Sequence, residues 1–301
     1  MKKELCIQIM QEPCTYHTHI PFSSVPAWFD TTQRALVLNL ILPRERTNEK
    51  RPLLIWLCGG AFSQMNVDVW MAELAFYAYK GLAVASVEYR VGPEAPFPAA
   101  LIDVKAAIRF LRAHAKEYGL DESRFVIMGE SAGGQLASLA GLTRGEKEFE
   151  QGEYLGISSA VQGVVDLYGP SDIREFDDPT PWHPFWLRQF CLGKTEEETA
   201  LLRYKASPVT YIRKRTEEEK IPFLIFHGDA DPLVPFSQSS DFYEQLSTNG
   251  YPADFMVISG GGHGSGEFYQ PVIKEQIAEF ISASNESSGR AHRDAKYLID
   301  I

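Results

Sequence analysis

No run of roughly 18 apolar residues occurs in the chain, so no membrane-spanning helix and no membrane partner are expected. The opening MKKELCIQIMQEPC carries two lysines but no apolar core of signal-peptide length, which makes the cytoplasm the expected location. Cysteine is scarce. Cys6, Cys14, Cys58 and Cys191 form no C-x-x-C pair and no metal-ligand spacing, so free thiols and no metal site are expected. Basic residues are in deficit: 29 Lys+Arg stand against 40 Asp+Glu, a net charge of −11. Such a chain repels phosphate backbones, and with no sustained basic patch nucleic acid is excluded as an expected partner. No internal repeat is visible.

What remains is an ordinary globular composition, 45% apolar and 23% charged, on a length of 301 residues. That suits one large α/β domain or two smaller ones. Short apolar runs alternate with longer periodic segments. RALVLNLILP (34–43), PLLIWLC (52–58), LAVASVEY (82–89), RFVIM (124–128), AVQGVVDLYG (160–169), IPFLIFHG (221–228) and ADFMVIS (253–259) read as strands. DVWMAELAFYAYK (68–80), FPAALIDVKAAIRFLRAHAKEYG (97–119), AGGQLASLAGL (132–142), QSSDFYEQLSTNG (238–250) and EFYQPVIKEQIAEFISA (267–283) read as helices. In 97–119 the apolar positions Leu101, Val104, Ile108 and Leu111 recur at threes and fours before Gly119. This alternation predicts βαβ units: a mostly parallel sheet, helices on both faces, functional loops at the C-terminal strand ends.

Two regions break the pattern. Residues 170–220 show no clear strand and read as an insertion over one sheet edge. The tail from about Ala283, ASNESSGRAHRDAKYLIDI, is polar and then briefly apolar, an extension outside a domain of residues 1–283. Its YLIDI end (297–301) leaves a homo-oligomer open.

Gly129-Glu130-Ser131-Ala132-Gly133 lies between the strand RFVIM and the helix from Ala132. That is the setting of a G-x-S-x-G nucleophile elbow, which presents a serine Oγ above the sheet near a helix N-terminus; alone, the match also fits a plain Gly-Ser turn. A serine hydroxyl needs a base. His263, in the glycine loop SGGGHGSG after the strand ADFMVIS, opens on the same rim as Ser131. His227, ending the strand FLIFHG, is its rival and reads as structural. The base in turn needs an acid. HGDADPLVP (227–235) offers Asp229 and Asp231; Asp231, before Pro232, is selected to face the His263 loop, and Asp229 reads as a turn residue. The order Ser131, Asp231, His263 is that of α/β-hydrolases. Acyl transfer also needs an oxyanion hole. LIWLCGGAFS (54–63) supplies a glycine turn after an early strand, and the N–H groups of Gly60, Ala61 and Ala132 are its candidates.

CGGAF, VEYRVGPEAPFPAALIDVKAAIRFL, GESAGG, HGDADPLVP and GGGHG together resemble the α/β-hydrolase fold over about residues 15–283. More narrowly, they are similar to the branch holding hormone-sensitive-lipase-like esterases and bacterial feruloyl and acetyl-xylan esterases. The resemblance implies a triad of Ser131, Asp231 and His263. It implies a carboxylesterase for short acyl or phenolic-acid esters, including carbohydrate esters, with no metal or organic cofactor. The family's oxyanion loop reads His-Gly-Gly-x, and here Cys58 stands at the histidine. A thiol cannot make the imidazole's hydrogen bonds, so the resemblance does not say how this loop is held. The insertion resembles a small cap. Its aromatics Trp182, Phe185, Trp186 and Phe190 suit either a flat acyl or sugar group or the cap's own core. The family also contains kynurenine formamidase-like amide hydrolases and peptidases, which makes amide hydrolysis by the same triad the alternative. A triad-bearing fold used only for binding is the non-enzymatic one, and inertness to a fluorophosphonate would reveal it.

Overall fold

The computed structural model describes residues 3–8, 12–28, 30–44, 49–177, 184–213, 216 and 219–283. Eight strands form one sheet: β1 (Cys14–Ala27), β2 (Thr32–Pro43), β3 (Arg51–Leu57), β4 (Ala83–Val87), β5 (Leu120–Glu130), β6 (Gly163–Leu167), β7 (Phe223–Gly228) and β8 (Ala253–Ile258). Their spatial order is β1-β2-β4-β3-β5-β6-β7-β8. β1 and β2 run antiparallel, as do β2 and β4; every other pair is parallel. This is an α/β-hydrolase fold.

Side chains on a strand alternate between faces, and the central strands show why they read as unbroken apolar runs. Leu53, Ile55 and Leu57 of β3, with Phe125 and Ile127 of β5, enter one core; Leu54, Trp56, Val126 and Met128 enter the other. The first core is closed by α2 (Ala99–Ala113), α4 (Ala132–Leu142) and α7 (Ser237–Thr248). The second is closed by α1 (Met71–Tyr79) and α8 (Pro271–Ala283). Leu101, Val104, Ile108 and Leu111, the expected stripe of α2, are fully buried.

Three features differ from the sequence reading. β1 was not expected; it is mostly exposed, carries Pro21 and Pro26, and pairs with β2 through register shifts at His17/Ile20 and Pro21/Ser23. A proline-bearing, solvent-facing edge strand has neither the composition nor the alternation that marks a strand. The helix expected over 97–119 is two: α2 stops at Ala113, and α3 (Ala115–Tyr118) adds one turn before Gly119, which has φ +67°. The segment between β6 and β7 carries no strand among the described residues, as the sequence suggests, but it is not without helix. It contains two short helices, α5 (Pro184–Phe190) and α6 (Glu196–Lys205). The tail 284–301 lies outside the described residues. Within them, no helix is long and apolar enough to cross a membrane.

Candidate active site

β5 delivers Ser131 in one step. Glu130 is its last residue, Ala132 the first of α4, and Ser131 sits between at φ 52°, ψ −122°. A non-glycine residue persists in such a conformation only where its surroundings over-determine it. The Ser131 N–H donates to the Leu167 carbonyl at the end of β6 (2.8 Å), and the Ser131 carbonyl accepts the first helical bond from Gln135 N–H (3.1 Å). The flanking glycines are required by close approach: a Cβ on Gly129 would overlap the Gly133 carbonyl, and one on Gly133 would overlap the Leu57 carbonyl.

Two more loops leave the same rim. Asp231 follows β7, His263 follows β8, and backbone bonds tie the loops together: Asp229 N–H donates to Ile258 O (3.2 Å) and Ala230 N–H to Gly261 O (3.1 Å). Asp229 also accepts from the Gly260 N–H (2.6 Å), so it braces the histidine loop rather than only its own turn. His263 Nδ1 lies 2.7 Å from Asp231 Oδ2, and His263 Nε2 lies 3.0 Å from Ser131 Oγ. A carboxylate can only accept, so Nδ1 carries the proton and Nε2 is left to accept from the serine hydroxyl.

The Asp231 side chain is fully shielded, whereas that of His263 is 15% exposed. Burial pushes the Asp231 carboxyl up. Hydrogen bonds from His227 and His263, the His263 charge and the Leu233 N–H outweigh it, and the carboxyl is held well below the usual carboxylate range. Leu233 and Val234 N–H groups donate to its Oδ1 (2.8 and 3.0 Å). His227 is completely buried. Its Nε2 faces the Val234 carbonyl (3.0 Å) and Asp231 Oδ2 (3.3 Å), both acceptors, so Nε2 holds the proton and Ser239 Oγ donates to Nδ1 (2.7 Å). Fully bonded and away from Ser131, it supports Asp231 from behind.

The glycine turn after β3 packs on the elbow: a Cβ on Gly59 would stand 3.1 Å from Ser131 Cβ. Gly60 (φ 145°), Ala61 (φ 52°) and Phe62 (φ 60°) curl the loop, and the Gly60 carbonyl accepts from Ser63 and Gln64 N–H. Among the described residues no hydrogen bond engages the N–H of Gly60, Ala61 or Ala132. Cys58 is buried, its thiol pushed up to about 11, chiefly by burial. Its carbonyl accepts from Tyr89 OH (2.5 Å).

Of the candidate substrate contacts, Trp182 lies outside the described residues. Phe185 and Trp186 fall in α5, and their side chains also lie outside what is described. Phe190 is core: it is buried and stacks on Phe62 of the glycine turn at 4.2 Å.

Sequence reasoning passed over Glu130. Its carboxylate, 9% exposed, accepts from Trp70 Nε1 (2.7 Å), Gly59 N–H (3.3 Å), Tyr168 OH (2.6 Å) and Tyr269 OH (3.1 Å). Burial first, and Glu130 next, push the Tyr168 and Tyr269 hydroxyls far above the usual phenol range. The available signal was a single carboxyl ending the apolar run RFVIM, which must find donors if buried.

The BD-FAE family model matches residues 38–246. The chain is 29% identical over 233 residues to "Esterase LipC" of Mycobacterium tuberculosis (strain ATCC 25618 / H37Rv), covering 76% of this chain and 57% of the relative. It is 34% identical over 199 residues to "Probable carboxylic ester hydrolase LipM" of the same organism, covering 65% and 44%. The chain thus spans about half the length of these curated relatives. Among solved structures, a "Truncated form of carbohydrate esterase from gut microbiota" superposes with a TM-score of 0.75 at 29% identity, covering 90% of this chain and 96% of that one.

Proposed function

Because the chain belongs to the BD-FAE family, we propose that it is a serine carboxylesterase acting on short-chain acyl or phenolic-acid esters, carbohydrate esters among them. One observation carries this reading: the unbroken path from Ser131 Oγ through His263 to Asp231, 3.0 and 2.7 Å long. The esterase names of the relatives and the carbohydrate esterase among the solved structures support the bond type and the substrate class.

In the proposed reaction, His263 Nε2 takes the proton of Ser131 as Oγ attacks the ester carbonyl. Asp231 holds the tautomer and balances the imidazolium. Gly60, Ala61 and Ala132 N–H groups receive the oxyanion. His263 returns the proton to the leaving alcohol, and water repeats the cycle on the acyl-enzyme. Every proton moved in this scheme passes through His263, so no metal or organic cofactor enters it. Short acyl groups are favoured because the helices of the 170–220 insert, α5 and α6, are short.

The test is hydrolysis of p-nitrophenyl acetate, butyrate and decanoate by the protein and by its Ser131→Ala variant. The expected outcome is a rate falling with chain length and reduced at least about 1,000-fold by the substitution. Acetylated and feruloylated sugars then identify the acyl group. Hydrolysis of amides but not esters would overturn the ester assignment, and an undiminished Ser131→Ala rate would overturn the site.

A further inference from the structure

Two large residues held at positive φ donate to one carboxylate, Trp70 (φ 66°) before α1 and Tyr168 (φ 45°) after β6, and a third positive-φ residue, Ser131 (φ 52°), directly follows that carboxylate in the chain. A bulky residue in the left-handed region is costly, on the order of 1–3 kcal/mol each, and persists where something fixes it. For Trp70 and Tyr168 that something is Glu130. Trp70 reaches its Oε1 through the indole N–H, and Tyr168 its Oε2 through the phenol. Tyr269, stacked on Trp70 at 4.3 Å, donates to Oε2 as well, and Gly59 N–H to Oε1.

The donors come from four separate parts of the rim. Gly59 belongs to the turn carrying Gly60 and Ala61. Trp70 precedes α1. Tyr168 directly follows β6, and its ring stands edge-on to the His263 imidazole at 4.7 Å. Tyr269 follows the histidine loop. Glu130 itself is bonded covalently to Ser131. Resting on the proposed esterase reading, we propose that Glu130 is a positioning residue that sets the oxyanion turn, the Ser131 elbow and the His263 ring in register. It thereby holds the start of the turn at Gly59, which the Cys58 side chain does not bond. The Cys58 thiol accepts from Asn66 N–H (3.5 Å) further along the loop, whereas Glu130 binds Gly59, the next residue of the turn itself.

Glu130 touches no reacting atom, so its contribution is geometric: reacting groups displaced by about 1 Å lose on the order of 100-fold in rate. Glu130→Gln keeps the shape but offers an NH₂ where two donors already point. Its turnover number on p-nitrophenyl acetate is expected to fall about 10- to 100-fold with KM within about twofold. The rate constant for labelling of Ser131 by a fluorophosphonate should fall by the same factor, while the final labelled fraction stays that of the native protein. Trp70→Phe and Tyr269→Phe each remove one donor away from the elbow. They should give smaller losses of the same kind, and they carry the test if Glu130→Gln does not fold. A merely structural role predicts the opposite pattern, a reduced labelled fraction with an unchanged rate per labelled site, and that result overturns the proposal. A native protein that neither turns over ester nor labels would overturn the esterase reading and the positioning role with it. A native protein that reacts, beside variants that react equally, overturns the positioning role alone.

Discussion

At Asp231, opposing effects meet on one side chain: burial favours the neutral acid, and His263, His227 and two backbone N–H groups favour the carboxylate. The bonds win and the folded carboxyl lies below its unfolded value of about 3.9. A depressed carboxylate stabilises the fold at every pH above that unfolded value and loses the contribution as pH falls through the folded one. Asp231→Asn is therefore expected to lower the urea midpoint at pH 7, with the deficit narrowing below about pH 4. Ester turnover at pH 7 should fall on the order of 10,000-fold, because an amide can donate to Nδ1 and turn the imidazole to the wrong tautomer. Unfolding curves across pH 3–7 and one turnover assay check both; a deficit constant with pH would contradict the depressed carboxyl. At this scale the sequence is informative where the chain itself forces the geometry. Ser131 is marked by glycines that cannot bear a Cβ, and His263 by the glycine loop after a strand. Glu130 is not marked, since Gly59, Trp70, Tyr168 and Tyr269 are scattered along the chain and meet only once the sheet is built.

Among the elements, the central strands were legible from their continuous apolar runs, whereas β1 and the short helices of the 170–220 segment were not. β3 and β5 read as strands because both faces are covered, whereas β1 is an exposed edge. α2 shows a further limit. Its apolar stripe is legible, but Lys105 and Arg109, which flank that stripe and whose charge suggests exposure, are fully buried. Both are satisfied by the segment after α4: Glu150 accepts from Lys105 Nζ (2.9 Å), Arg109 Nη1 (2.6 Å) and Ser159 Oγ. Burial pushes the Lys105 amine down, and Glu150 opposes it. Removing one partner of such a cluster leaves buried charge uncompensated, which costs more than the pair was worth. Glu150→Gln is expected to destabilise by about 3 kcal/mol in urea titrations. Turnover below the melting transition should be unchanged, because Glu150 lies on the α2 side of the molecule rather than at the rim. A loss of less than about 0.5 kcal/mol would show that these cations reach water instead.

For the whole molecule, strand order explains how residues as distant in sequence as Ser131 and His263 share a rim. β5, β7 and β8 are parallel, so their C-terminal loops all open at the same end of the sheet. The βαβ alternation alone identifies that end, so the sequence already puts Ser131, Asp231 and His263 on one rim. The alternation says nothing of the charge the rim presents. Net charge is −11, and the site itself holds the carboxyls of Asp231 and Glu130. A like-charged substrate approaches against this field, and the opposition is screened as the Debye length shortens from about 30 Å at 0.01 M salt to about 8 Å at 0.15 M. For the hemisuccinate ester of p-nitrophenol, kcat/KM is expected to rise about two- to fivefold across that range. For the neutral acetate it should stay within experimental error. A general salt effect on the fold would move both esters together, so the ratio between them isolates the field. A ratio independent of salt would mean that the mouth of the site is locally neutral despite the acidic chain, and selection between neutral and anionic esters would then fall to shape alone.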